Sequence, residues 1–328
     1  MRRPARYTAR MISQNAPRAL DAEIAPILRS VANVVVGKAE AVEQTLVAVL
    51  AGGHLLVEDV PGVGKTTLAR ALARSVGGTF SRVQCTPDLL PSDVTGVHVL
   101  DQKQGGFVFQ QGPIFANIVL VDELNRATPR TQAALLEAME ERQVTLEGTT
   151  RPLPTPFLVI ATQNPIELEG TFPLPEAQLD RFLLRLKLGY PSERDEQELV
   201  DRFAAATPLD EVQPVLDLQR LIGLIRAVRN IRVEPSIRNY VVALVRATRE
   251  HSTVRLGASP RATLGLFHAA QALAAIRGRT YVMPDDVKAL AGPVLAHRLL
   301  LTSQARLRGR TESTVIDEVV ASTPVPVE

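Results

Sequence analysis

The apolar run Leu55-Leu56-Val57 gives way, after Glu58-Asp59-Val60, to Pro61-Gly62-Val63-Gly64-Lys65-Thr66-Thr67, and a helical pattern then runs from Thr66 to Val76. A strand that turns through glycines into a helix is the context of a phosphate-binding loop. The glycines let backbone N–H groups face phosphate oxygens, and the helix N-terminus adds positive potential. In such a loop Lys65 reaches the β- and γ-phosphates and the Thr66 hydroxyl is placed for Mg²⁺. Pro61, Gly62, Val63, Gly64, Lys65, Thr66 and Thr67 are therefore the candidate nucleotide-binding segment, with ATP and Mg²⁺ as the expected ligands. One position departs from the pattern G-x-x-x-x-G-K-[ST]: its first glycine is replaced by Asp59, a residue that tolerates turns. The competing reading is a glycine-rich turn that opens an ordinary helix.

A second apolar run, Ile118-Val119-Leu120-Val121, ends in the acids Asp122-Glu123. Adjacent carboxylates at the end of a buried strand repel each other, and burying them is costly unless a cation neutralises one and water or substrate meets the other. The expected roles are Asp122 in the Mg²⁺ shell and Glu123 polarising the attacking water. Alone, the stretch also reads as a strand running into a helix N-terminus. Asn164 follows the run Phe157 to Ala161 and has two readings, a side chain that holds the water or a turn residue before Pro165. Arg181 lies in Leu179-Asp180-Arg181-Phe182, where Glu176 and Asp180 are candidate ion-pair partners. Ser259-Pro260 reads as a helix N-cap and first helical position. Arg261 then opposes the helix dipole and calls for an anion, either a nucleotide phosphate in an interdomain cleft or a carboxylate.

Short strand candidates at Leu55 to Val57, Phe80 to Gln84, Ile118 to Val121, Phe157 to Ala161 and Leu183 to Leu188 alternate with helical patterns. Their two-sided apolarity predicts a parallel sheet with crossover helices. After Gly189-Tyr190-Pro191 the period turns helical, as in Leu218, Leu221, Ile222, Ile225, Val228 and again in Leu266, Ala269, Ala270, Leu273, Ile276. A length of 328 residues predicts two domains with a core each. The expected organisation is a flexible basic tail over 1–20, a nucleotide-binding core over 21–191, a helical domain over 192–304 and a loose tail over 305–328. Two inserts read as β-hairpins, one pairing Val97 to Leu100 with Phe107 to Phe109, the other starting at Gln143 to Leu146 and turning at Glu147-Gly148.

A net charge of +2 does not point to a nucleic-acid partner. No apolar run approaches the roughly 20 residues of a membrane helix, so no transmembrane segment is expected. The start carries Arg2, Arg3, Arg6, Arg10 and Arg18, but polar Ser13-Gln14-Asn15 stands where a secretion signal needs an apolar stretch. Cys85 is the sole cysteine, which excludes an intrachain disulfide and fits a reducing, cytoplasmic setting. The histidines at 54, 98, 251, 268 and 297 show no zinc-ligand spacing.

Taken in order, these residues resemble an AAA+ ATPase, and the details resemble its MoxR family. The stretches that carry the resemblance are Leu55 to Gly62, Asp122-Glu123-Leu124-Asn125-Arg126-Ala127, Gln132 to Glu141, Ala161-Thr162-Gln163-Asn164-Pro165 and Pro175 to Phe182. The resemblance implies an α/β fold: a P-loop αβα sandwich with a parallel central sheet and β-hairpin inserts, followed by an all-α lid. It implies that Asn164 is the sensor-1 residue, Arg181 the arginine finger offered to a neighbouring subunit and Arg261 the sensor-2 residue of the lid. Val36 and Gly37 are similar to the segment lining the adenine pocket, and Asp59 recurs in the Glu-Asp-x-Pro-Gly form of such loops. Arg126 resembles a residue that reaches across a subunit boundary.

The family further implies a homo-oligomeric ring, expected to be hexameric, acting as a chaperone-like ATPase with von Willebrand factor A domain proteins. Two other classes compete. A nucleic-acid motor or transcription activator calls for basic inserts, whereas these offer Lys103, Arg142 and Arg151 with acids beside them. A nucleotide-gated scaffold is opposed by the complete catalytic set.

Overall fold

The computed structural model describes residues 18–101, 103, 105–166, 170–205 and 207–326. Nine strands occupy its first part: β1 (Leu55–Glu58), β2 (Phe80–Gln84), β3 (Gly96–Asp101), β4 (Gly106–Gln111), β5 (Ile118–Asp122), β6 (Gln143–Leu146), β7 (Thr149–Pro152), β8 (Leu158–Gln163) and β9 (Leu184–Leu186). Five of them form a parallel sheet in the order β2-β5-β8-β1-β9. The other four are the two expected hairpins, β3 with β4 and β6 with β7, both antiparallel.

Side chains alternate across a strand, and the apolar runs use both faces. Leu55, Val57, Ile118, Leu120, Leu158 and Ile160 join a cluster with the helices Ala39–Ala51 and Lys65–Ser75. Leu56, Val119, Val121, Val159 and Ala161 join another with Leu135, Leu136 and Met139 of the helix Pro129–Glu141. Each fully buried Leu or Ile contributes about 1.5–3 kcal/mol. A one-residue slip would exchange the two faces, so the packing pins the register.

The two clusters are thus divided by the sheet, not by the domain boundary that chain length suggested. The first continues from Leu46 and Leu120 into Leu244, Leu266, Leu290 and Val319 of the helical domain. The helix Pro260–Ile276 lies directly on Ala39–Ala51, which makes one core of both. The strand β2 also departs from expectation. It is a sheet edge, and Arg82 and Gln84 are exposed.

Helices Leu218–Val228, Pro235–Glu250 and Pro260–Ile276 form where the apolar period predicts them, and Pro284–Leu295 follows. A two-stranded ribbon joins β10 (Val254–Leu256) to β11 (Leu300–Leu301) within this helical domain. The loose tail expected over 305–328 is corrected by the helix Glu312–Ser322. Thr311 caps it, accepting from the Thr314 N–H at 3.2 Å, and Val315, Ile316 and Val319 bury a helical stripe in the shared core. Residues 327–328 lie outside the described residues. So do 1–17 of the expected N-terminal tail, while residues 18–20 already belong to the helix Arg18–Ala32. Among the described residues, no helix is long and apolar enough to cross a membrane.

Candidate active site

The loop after β1 reaches the helix Lys65–Ser75 through Gly64, whose φ of 97° is left-handed. A Cβ at Gly64 would meet nothing within 4 Å, so the need for glycine there is conformational rather than steric. The first-turn N–H groups of that helix have no intrahelical partner and are available to an anion. Lys65 Nζ donates to the carbonyls of Asp59 at 2.8 Å and Val60 at 3.1 Å, so the ammonium rests on the loop itself. Lys65, Thr66 and Thr67, with Pro61, Gly62 and Gly64, face Asp122, Glu123 and Asn164 across a cleft of about 360 Å³. Val63 turns the other way and packs on the core.

Asp122 ends β5 with both oxygens engaged. Oδ1 accepts from Thr162 Oγ1 at 2.6 Å and Oδ2 from the Arg82 guanidinium at 2.6 Å. Glu123 has a left-handed φ of 57°, a conformation that costs a non-glycine residue about 1–3 kcal/mol and concentrates at functional sites. Its N–H donates to Thr162 Oγ1 at 2.9 Å, and its carboxylate pairs with Arg126 at 3.2 Å. One hydroxyl on β8 therefore orients both acids. Asn164 is buried, lines the cleft, and accepts the Ile166 N–H on Oδ1 at 3.1 Å, so its turn and cleft readings coexist. Burial, with Asp122 and Glu123 nearby, pushes the Cys85 thiol up to about 12, which makes it a packing residue rather than a nucleophile at neutral pH.

Among the described residues, no group of three His, Cys, Asp or Glu side chains converges on a point. Mg²⁺ takes one or two protein oxygens and completes its shell with water and substrate phosphates. Thr66 and Asp122 line one cleft and supply such a donor pair.

Asp59 does more than replace a glycine. Its buried carboxylate accepts the N–H groups of Leu188 at 2.7 Å and Gly189 at 2.6 Å through Oδ2, and that of Val60 at 2.9 Å through Oδ1. It ties the phosphate loop to the segment that leads into the helix Glu193–Ala205. Leu188 and Gly37 line a second cleft of about 430 Å³ with Pro293 of the helical domain. Gly37 has a left-handed φ of 71° that favours glycine, and a Cβ there would also push on the Asp195 carboxyl group at 2.3 Å. Val36 is buried and lines neither cleft.

Arg181 and Arg261 lie elsewhere, and of the two anions expected for Arg261 the structure supplies the carboxylate. The Leu183 N–H donates to the His54 carbonyl at 2.8 Å, at the amino end of β1, whereas the phosphate loop leaves the carboxyl end. At about 3.3 Å per strand residue, His54 and Asp59 stand roughly 16 Å apart. On that far edge Arg181 Nε donates to Glu140 Oε2 at 2.7 Å, and Arg261 pairs with the other oxygen. Arg181, then Arg261, hold the Glu140 carboxyl below its usual range. The expected Arg181 partners, Glu176 and Asp180, are not used. Asp180 instead pairs with Arg298 at 2.8 Å and accepts from the helix cap Ser259 at 2.9 Å. Arg298 is 3% exposed and also donates to the Phe182 carbonyl at 2.7 Å.

Sequence reasoning missed Arg82, Thr162, Glu140 and Arg298. A signal existed for Arg82: it and Gln84 share one face of β2, and Gln84 pairs in register with Asp122.

Comparison with known proteins places this arrangement. Residues 54–184 match the model of the ATPase family associated with various cellular activities, and residues 246–319 match an AAA lid domain. The chain is 45% identical to "Chaperone MoxR1" of Mycobacterium tuberculosis, over 90% of this chain and 80% of that protein. The chain belongs to the MoxR family of AAA+ ATPases. This MoxR-family chain is also 50% identical to "Uncharacterized protein YeaC" of Bacillus subtilis, over 90% of its own length and 92% of the relative's. A crystal structure of a candidate ATPase from Cytophaga hutchinsonii superposes with a TM-score of 0.89 at 36% identity, covering 95% of this chain and 97% of that one.

Proposed function

We propose that this MoxR-family chain binds Mg²⁺-ATP in the phosphate-loop cleft, hydrolyses it in a homo-oligomeric ring and uses the cycle to remodel or activate a protein partner. The observation that carries the reading is the split of the charged side chains between opposite ends of one parallel sheet. Lys65, Thr66, Asp122, Glu123 and Asn164 converge at the carboxyl end, and Arg181 and Arg261 lie together at the amino end. Two arginines that cannot reach their own phosphates are suited to a neighbour's.

Residue roles follow from position. Lys65 moves from the loop carbonyls to the β- and γ-phosphates, and the orphan N–H groups after Gly64 hold the remaining oxygens. Thr66 and Asp122 would hold Mg²⁺, which when bound would neutralise charge on the phosphates. Glu123, aimed by its left-handed backbone and Thr162, takes the proton of the attacking water, and Asn164 fixes that water from just beyond β8. Gly37 and the cleft beside it take the base, with Asp59 joining the two clefts. Arg181 and Arg261 stabilise charge developing in an adjacent subunit's transition state.

A protein client is favoured over nucleic acid by the first hairpin, whose facing tip residues Leu100 and Phe107 are 59% and 74% exposed. An apolar tip suits a polypeptide rather than a phosphate backbone. A von Willebrand factor A domain protein is the expected partner from the family resemblance, and the lone buried Cys85 fits the cytoplasm. Measuring turnover with such proteins and, separately, with single- and double-stranded DNA tests the reading. Stimulation by protein supports it; stimulation by DNA alone, with steep salt dependence, overturns it.

A further inference from the structure

One cation in the phosphate-loop cleft lies outside the motifs that brought attention to it. Arg82 leaves the edge strand β2, and its guanidinium donates to Asp122 Oδ2 at 2.6 Å and to Gln84 Oε1 at 2.7 Å. The other Asp122 oxygen is occupied by Thr162. The carboxylate assigned to the metal therefore already carries a positive charge. A divalent ion and a guanidinium beside one carboxylate repel each other. Arg82 has freedom to leave: its side chain is 45% exposed and sits on a sheet edge, whereas Asp122 is 15% exposed and held from two sides.

The destination follows from what else lines the cleft. Lys65 and the helix N-terminus serve the phosphates nearest the loop. Glu123 and Asn164 mark where the attacking water sits, so the phosphate beside them is the terminal one. Arg82 already touches the residue next to Glu123, and its planar fork matches phosphate oxygens. We propose that Arg82 is a ligand of the nucleotide's terminal phosphate within its own subunit. It holds Asp122 while the cleft is empty and passes to that phosphate when the metal takes Asp122. The cleft thereby distinguishes ATP from ADP, because only the triphosphate offers Arg82 a new partner. This rests on the nucleotide reading of the cleft given above.

Calorimetric titration of ATPγS and of ADP, each with and without Mg²⁺, into wild-type protein, Arg82→Ala and Arg82→Lys tests it. Loss of one charged hydrogen bond predicts that Arg82→Ala binds Mg²⁺-ATPγS about tenfold or more weakly, while Mg²⁺-ADP changes less than about twofold. Without Mg²⁺ the ATPγS deficit shrinks, because Asp122 then keeps Arg82 in the wild type. Arg82→Lys recovers part of the preference through its charge. An equal loss for both nucleotides makes Arg82 a structural prop and overturns the proposal. So does unchanged affinity for both, or tighter Mg²⁺ binding with no altered preference for the triphosphate. If the wild type binds neither nucleotide, the reading of the cleft itself falls, an outcome distinguishable from these because they all begin with a wild type that binds. Cooperative thermal unfolding of all three proteins without nucleotide establishes that the comparison is between folded chains.

Discussion

At the two ends of the parallel sheet the chain treats its cations in opposite ways. At the carboxyl end Lys65 and Arg82 rest on groups of the site itself, loop carbonyls and Asp122, and both are placed to change partner. At the amino end Arg298 is locked among buried carbonyls and Asp180, whereas Arg181 and Arg261 share the single carboxylate of Glu140. Two positive charges on one negative charge leave that edge with positive charge to spare. At the first end the side chains converge on one cleft; at the second they meet on one carboxylate at the sheet's far edge.

The comparison breaks most readily at Arg181. Arg181→Ala is expected to keep ATP affinity and lose about 10³-fold or more of turnover. Mixing it with Glu123→Gln protein, under conditions of subunit exchange, should restore activity. If the mixture stays inactive, or if Arg181→Ala alone turns over normally, the two ends do not belong to one shared site. Next comes the lock. Asp180→Ala strands the buried Arg298 guanidinium and is expected to cost about 3–5 kcal/mol of stability, read as a lower denaturation midpoint. A midpoint equal to wild type would mean Arg298 is held by the carbonyls alone.

The carboxyl end is sharpened by Lys65→Ala, which should weaken ATP by about 2–3 kcal/mol, or roughly 30- to 150-fold, in calorimetry. Unchanged affinity would remove the loop assignment. The smallest effect belongs to Glu140→Gln. It frees Arg181 and Arg261 from a partly exposed pair worth about 1 kcal/mol or less, so the isolated chain should barely change in stability. Because Arg181 depresses the Glu140 pKa from its ordinary 4.5, the clamp stabilises the wild type above that pH. Its contribution is lost as pH falls through the lowered value. The acid limb of a stability profile should therefore flatten slightly in Glu140→Gln.

The carboxyl end was legible because its chemistry is local. Pro61 to Thr67 and Asp122-Glu123 are contiguous, and a strand that ends in acids announces itself without tertiary knowledge. Arg181 and Arg261 were legible as charged residues needing partners, but the partner was not: Glu140 meets them only after the helix Pro129–Glu141 and the lid pack at one edge. Arg82 was hidden because Phe80 to Gln84 was grouped with the strands apolar on both faces, although Ser81, Arg82 and Gln84 give it the polar content of an edge. The C-terminal helix was missed for a different reason. Val315, Ile316 and Val319 carry the right spacing, but one stripe of three is short, and the segment runs into Pro324-Val325-Pro326, which cannot continue a helix.

Asp59 has a lesson for anyone redesigning the chain. Restoring the consensus glycine at that position looks like a repair, since it improves the match to the phosphate-loop pattern. The substitution would remove one carboxylate and orphan three backbone N–H groups, those of Val60, Leu188 and Gly189. The loop would gain conformational freedom at the point where it is fastened to the strap that carries the lid. A closer match to the motif would thus remove the side chain that fastens the phosphate loop to the segment leading into the helix Glu193–Ala205.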